Sequence, residues 1–172
     1  MTPMSEPALV VRQRGRARLV VGIVMAALLA ALAVWYVNNP SALPTSNATV
    51  NASTAAGLPV YLGVFAATDE FDRTLHLSGV KVRTTANTQV DVVPYLCRDG
   101  SLAVTTDPDA FCGELVDPEG ETFAAGDSIV LEVSSDETAI AVIDRVRLGF
   151  REGVQWGTLE AGSPALVNIQ AR

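Results

Sequence analysis

The side chains able to do chemistry are two cysteines, one histidine, a cluster of acids and a row of arginines. Cys97 and Cys112 are the only cysteines. In an oxidising compartment such a pair closes as a disulfide. Closing a loop of this length stabilises a fold by about 3 kcal/mol on a chain-entropy estimate. A tetrahedral zinc set would need further Cys or His ligands, and the C-x-x-C spacing of redox sites is absent. His76 is the only histidine. It stands between Leu75 and Leu77, so strand alternation points it away from their face. A nucleophilic serine or cysteine needs such a base beside it, and no G-x-S-x-G signature accompanies any serine.

Asp107, Asp109, Glu114, Asp117, Glu119 and Glu121 place six acids within 15 residues. Oxygen-rich loops suit Ca²⁺, but this spacing departs from the EF-hand pattern, so a solvated acidic loop is expected. Arg145, Arg147 and Arg151 share a parity on one apolar segment. They are a candidate interaction surface for an acidic partner; the plainer reading pairs them with acids on a neighbouring strand. Trp156 is expected to pack in the core or at an edge. No glycine-rich phosphate loop opens a helix. The expectation is a non-enzymatic domain with no catalytic residue, metal or cofactor.

The elements that position these residues read as strands. From Leu58 onward, short alternating runs are separated by Gly, Pro and Asp. Val60, Leu62 and Val64 share one face. Leu75 and Leu77 share a parity that Val80 and Val82 do not, so an extra residue or a turn is expected near Ser78-Gly79. Pro94 interrupts the run 89–98 and argues for an edge or a bulge. Ile129, Leu131 and Val133 mark a clean strand. Ile140, Val142, Val146, Leu148 and Phe150 are expected to line one face of a long strand over 138–151. Arg151-Glu152-Gly153 reads as a hairpin connection to Val154–Leu159, and Val167 and Ile169 mark a closing strand. Seven to nine strands and no helix predict an all-β fold, a small antiparallel β-sandwich, loosely immunoglobulin-like, with a small barrel as the alternative.

Before these strands lies a different texture. Leu19 to Val37 is an uncharged run of 19 residues, about 28 Å as a helix, which matches a bilayer's hydrocarbon core. Arg12, Arg14, Arg16 and Arg18 precede it, and Trp35 and Tyr36 stand at its far end. The positive-inside rule then places residues 1–18 in the cytoplasm and the C-terminal domain outside. A cleaved signal peptide competes, since Ala31-Leu32-Ala33 resembles a cleavage site. Residues 38–57 are uncharged and rich in Ser, Thr, Asn, Ala and Pro, which predicts a flexible linker. They carry two glycosylation sequons, at Asn47 and Asn51. The domain is then expected over 58–172.

From Asn38 onward there are 8 basic and 18 acidic residues, a net charge of −10. A domain of that sign repels phosphate backbones and anionic lipid headgroups, so nucleic acid is excluded as a partner. Arginine outnumbers lysine eleven to one, a bias that fits a high-GC bacterial genome. The sequence therefore points to a single-pass cell-membrane protein contacting the bilayer through residues 19–37. Its extracytoplasmic domain is expected to be an interaction or accessory module for an envelope or membrane protein. A small-molecule or glycan-binding domain is the alternative, but eight aromatic residues outside the apolar run offer little sugar platform.

Overall fold

The computed structural model describes residues 14–172. They form two units, one ending at Tyr36 and the other spanning Val37–Arg172. The first is built on helix α1, Arg14–Asn38. Alanine and leucine favour the helix, and the residue before Pro40 is disfavoured in helical geometry, so the helix stops there. It starts at Arg14, so the expected basic tail 1–18 contributes its last residues to the helix. Arg12 and the rest of residues 1–13 lie outside the described residues. Helix α1 is long and apolar enough to cross a membrane, a property that signal sequences share.

The second unit is β-rich. Its strands are β1 Val50–Ala55, β2 Val60–Ala66, β3 Leu75–Lys81, β4 Thr84–Ala86 and β5 Asp91–Arg98. Then come β6 Val104–Thr105, a 3₁₀ turn at Pro108–Ala110, β7 Glu114–Val116 and β8 Thr122–Phe123. The last five are β9 Ser128–Ser134, β10 Ala139–Ile143, β11 Val146–Glu152, β12 Gln155–Ala161 and β13 Ala165–Gln170. They form three sheets, ordered β1-β13-β10-β4, β12-β11-β3-β8 and β6-β2-β9-β5-β7. One apolar cluster draws on all three, with Leu62, Leu75, Phe123, Leu131, Ile143, Leu148 and Ile169 fully buried. Phe65 stacks on Phe123 at 5.1 Å, and Phe71 meets both rings edge-on.

Several expectations are corrected. Residues 38–57 are not a flexible linker. Leu43 is buried, Thr45 bridges Gly162 in parallel, and β1 pairs along its whole length with β13. Polar, small-residue composition hid this, because a strand held by backbone bonds needs only small side chains where it packs, as at Ala52. The β1–β13 pair is parallel, so the strands are not all antiparallel. The segment 138–151 is two strands in two sheets. Ala139, Ala141 and Ile143 are the buried residues of β10, while Ile140 and Val142 are exposed. Val146, Leu148 and Phe150 are buried in β11 as expected. The chain changes sheets at Asp144-Arg145, so parity resets there.

Other features match the pattern read from sequence. Leu77 faces Phe150 and Gly79 faces Gly149, which leaves Ser78 as the extra residue of a bulge. Gly149 is needed opposite it, since a Cβ there would lie 2.8 Å from the Ser78 hydroxyl. A second bulge at Val64, which alternation did not announce, lets Val64 and Phe65 both turn inward. Pro94 pairs with Leu131 on one side and lies beyond the end of β7 on the other, so its missing N–H faces an open edge.

Candidate functional site

Two strand crossings make the most cationic place in the second unit. The chain passes from β3 to β4 through Val82 and Arg83, and from β10 to β11 through Asp144 and Arg145. Each passage moves between the same two sheets, so the connections lie side by side, tied by the Asp144 amide donating to the Arg83 carbonyl at 3.0 Å. An open groove of ≈ 390 Å³ follows, lined by Lys81, Val82, Arg83, Asp144, Arg145, Arg147 and Glu160.

Register sets the charges. Arg147 on β11 lies directly opposite Lys81 on β3 and Glu160 on β12. Two cations facing each other across a ladder repel, and only one acid, Glu160, stands on the far side. Among the described residues, the ion pairs within 4 Å are Arg73–Glu152, Arg98–Glu121 and Arg98–Asp127. Lys81, Arg83 and Arg147 are in none of them and are exposed. Four cations thus meet two acids, Asp144 and Glu160, in a domain of net charge −10. Arg145 plays a different part. Its Nε donates to the Ser46 carbonyl at 3.1 Å and its Nη2 donates to the Asn47 side chain, so it pins the chain ahead of β1.

The arginine row is therefore divided. Arg145 sits in the connection, Arg147 lines the groove, and Arg151 lies at the other end of β11 between Trp156 and His76. His76 is exposed between buried Leu75 and Leu77. Trp156 is neither core nor packed edge: 61 % of it is exposed. Lys81 and Arg83 escaped sequence reasoning because their neighbours come from residues 144–160. An opposed-charge count along β3 and β11 would have found them only with the register known.

The acids do not converge. Glu121 pairs with Arg98, and Asp117 accepts the Glu119 amide at 2.8 Å. Among the described residues no three His, Cys, Asp or Glu side chains are grouped to hold a metal ion. Cys97 and Cys112 are bonded, with Cα atoms 5.2 Å apart. The bond ties residues 99–112 back onto the sheet, where Val130, Tyr61, Leu102 and Leu115 pack around it.

Tyr61 and Tyr95 flank Glu132 on the outer face of that sheet. Burial, then the Glu132 charge, pushes both phenols above their ordinary pKa. A tyrosine held neutral is a poor base. The groove's guanidinium and ammonium groups can bind carboxylates or phosphates.

Comparison with protein-family models, with curated proteins and with solved structures finds no match for this chain.

Proposed function

We propose that this chain is a single-pass cell-membrane protein whose extracytoplasmic β-domain is a non-catalytic interaction module for an envelope or membrane protein. In this reading α1 anchors the domain with its N-terminus in the cytoplasm, and the groove lined by Lys81, Arg83 and Arg147 receives an acidic segment of the partner. The disulfide supports the compartment, since such bonds persist outside the reducing cytosol. The carrying observation is the convergence of three cations that make no ion pair among the described residues, in an otherwise acidic domain. Four cations against two acids leave the groove with excess positive charge, which suits a negative ligand. The acidic remainder repels nucleic acid and steers a partner toward this one patch. In architecture we read the strands as a β-sandwich, supported by one apolar cluster shared among the sheets.

The test is Lys81→Glu with Arg147→Glu in the full chain, with membrane levels and folding checked. Cross-linking in intact membranes should trap an acidic segment of a partner with the wild-type chain, less at high salt, and lose it with the double variant. Reversing the acids of the trapped segment to lysine should restore the pair. Unchanged cross-linking by the reversed groove would overturn the proposal.

A further inference from the structure

The hairpin joining β11 to β12 is short and exposes large apolar side chains. Glu152 pairs with Gln155, leaving Gly153-Val154 as a two-residue turn, with Gly153 at φ +56°. A glycine with positive φ in the first central position is what a type II′ turn requires. Val154 and Trp156 are 64 % and 61 % exposed. Two such side chains around one turn, in a domain with a well-filled core, call for a partner.

The residues that hold this hairpin say where it is. Gln155 Nε2 donates to the Asn39 carbonyl at 3.3 Å. Gly157 lies against Pro40, so closely that a Cβ there would be 2.4 Å from the Pro40 Cγ. Arg73 fastens the same corner. It donates to both carboxylate oxygens of Glu152, at 3.0 and 2.6 Å, and to the Ala42 carbonyl at 3.1 Å. All of these contacts lie within the second unit.

The apolar run ends at Val37, and Asn39 is two residues later. Two residues reach at most about 7 Å. The headgroup layer on one side of a bilayer is roughly 5–8 Å thick. If α1 spans the bilayer, Asn39 and Pro40 lie in or beside that layer, and the hairpin that touches them does too. Tryptophan prefers this zone, where its ring is half buried and its N–H stays wet. Arg151 is directly opposite Trp156 across the ladder and is in no ion pair among the described residues. Its guanidinium suits lipid phosphates.

We propose that the turn Gly153–Trp156 docks into the headgroup layer of the membrane that α1 crosses, with Val154 and Trp156 entering it and Arg151 meeting phosphate. This rests on the anchor reading above. It deepens that reading: the domain is seated on the bilayer, not swinging from a tether. The cationic groove, four residues further along β11 at Arg147, then stands about 13 Å from Arg151 along the strand.

The chain has two tryptophans, Trp35 and Trp156. The full chain is reconstituted in phosphatidylcholine–phosphatidylglycerol vesicles as two variants. Trp35→Phe leaves Trp156 as the reporter, and Trp156→Phe leaves Trp35. Emission is compared with and without lipids brominated near the headgroup end of the acyl chain. The expected result is a blue-shifted Trp156 signal that loses intensity with the brominated lipid, alongside quenching of Trp35. Quenched Trp35 with a water-like, unquenched Trp156 would overturn the docking and leave the anchor standing. Unquenched Trp35 would overturn both.

Discussion

Asp127 carries more of this fold than its place in a loop suggests. It is buried, and its carboxylate accepts the Asp99 amide, the Ala124 amide and the Arg98 guanidinium. Arg98 in turn reaches Glu121 and the Thr122 carbonyl. Asp127→Ala leaves two amides without their acceptor and removes one of the two carboxylates that Arg98 pairs with. A loss of about 2–4 kcal/mol in unfolding free energy is expected from such a site, measured by urea denaturation of the purified chain. A change within error would show that water replaces the carboxylate at no cost. The tyrosines give a pH signature. Their pKa values are raised in the folded state, first by burial and then by Glu132. Folding thus favours the protonated phenols. The associated stability is present below the ordinary value of about 10 and is lost as pH rises through the folded-state values. Glu132→Gln should lower both phenol pKa values in an ultraviolet titration and soften the alkaline loss. Unmoved titration curves would rule out Glu132 as a cause. Little of this was legible in advance, since Asp127 and Glu132 read as two ordinary acids among many.

At the scale of elements, the disulfide loop and the sheet crossing contrast. Cys97 and Cys112 could be paired from sequence because no other thiol exists. Replacing both by serine should cost about 3 kcal/mol, as a loop of 15 residues implies, with the loss seen in denaturation. A double variant as stable as wild type would mean that residues 99–112 hold to the sheet without the bond. Gly100 shows how close that approach is: a Cβ there would come 2.0 Å from the Phe111 carbonyl oxygen. The bulge at Ser78 was legible as a parity flip. The break at Asp144-Arg145 was not, because Ile140 and Val142 happen to keep the parity of Val146, Leu148 and Phe150. Alternation reports a face only within one strand, and apolar residues on an exposed face mimic a core.

For the whole molecule, the edge of β12 is the feature that a linker reading hides. Residues 39–46 run along it: Asn39 at Gln155, Pro40 at Gly157, Pro44 and Ser46 at Gly162. An uncovered edge strand invites pairing with another chain. Two prolines let this segment shield the edge without forming a regular ladder there. Deleting residues 41–48 should therefore destabilise the domain and promote aggregation, checked by light scattering and limited proteolysis. A monomeric, equally resistant deletion would restore the tether reading. Topology has its own test. A reporter active only outside the cytoplasm, fused after Arg172, should be active, and an N-terminal tag should remain on the mature chain. Activity of a cytoplasm-only reporter at that position would reverse the orientation, and loss of the tag would replace the anchor with a signal peptide.

Local composition by itself determined the apolar helix, the β-rich character, the disulfide pair and the bulge at Ser78. Each follows from residues adjacent in the chain or, for the cysteines, from there being no other choice. Tertiary structure alone decided that residues 50–55 form a strand beside β13, that Lys81 faces Arg147, and that the β11–β12 turn lies beside Asn39. These are matters of which backbone meets which across tens of residues. Backbone hydrogen bonding is nearly indifferent to side-chain identity, so pairing of this kind leaves no mark in either partner's own sequence.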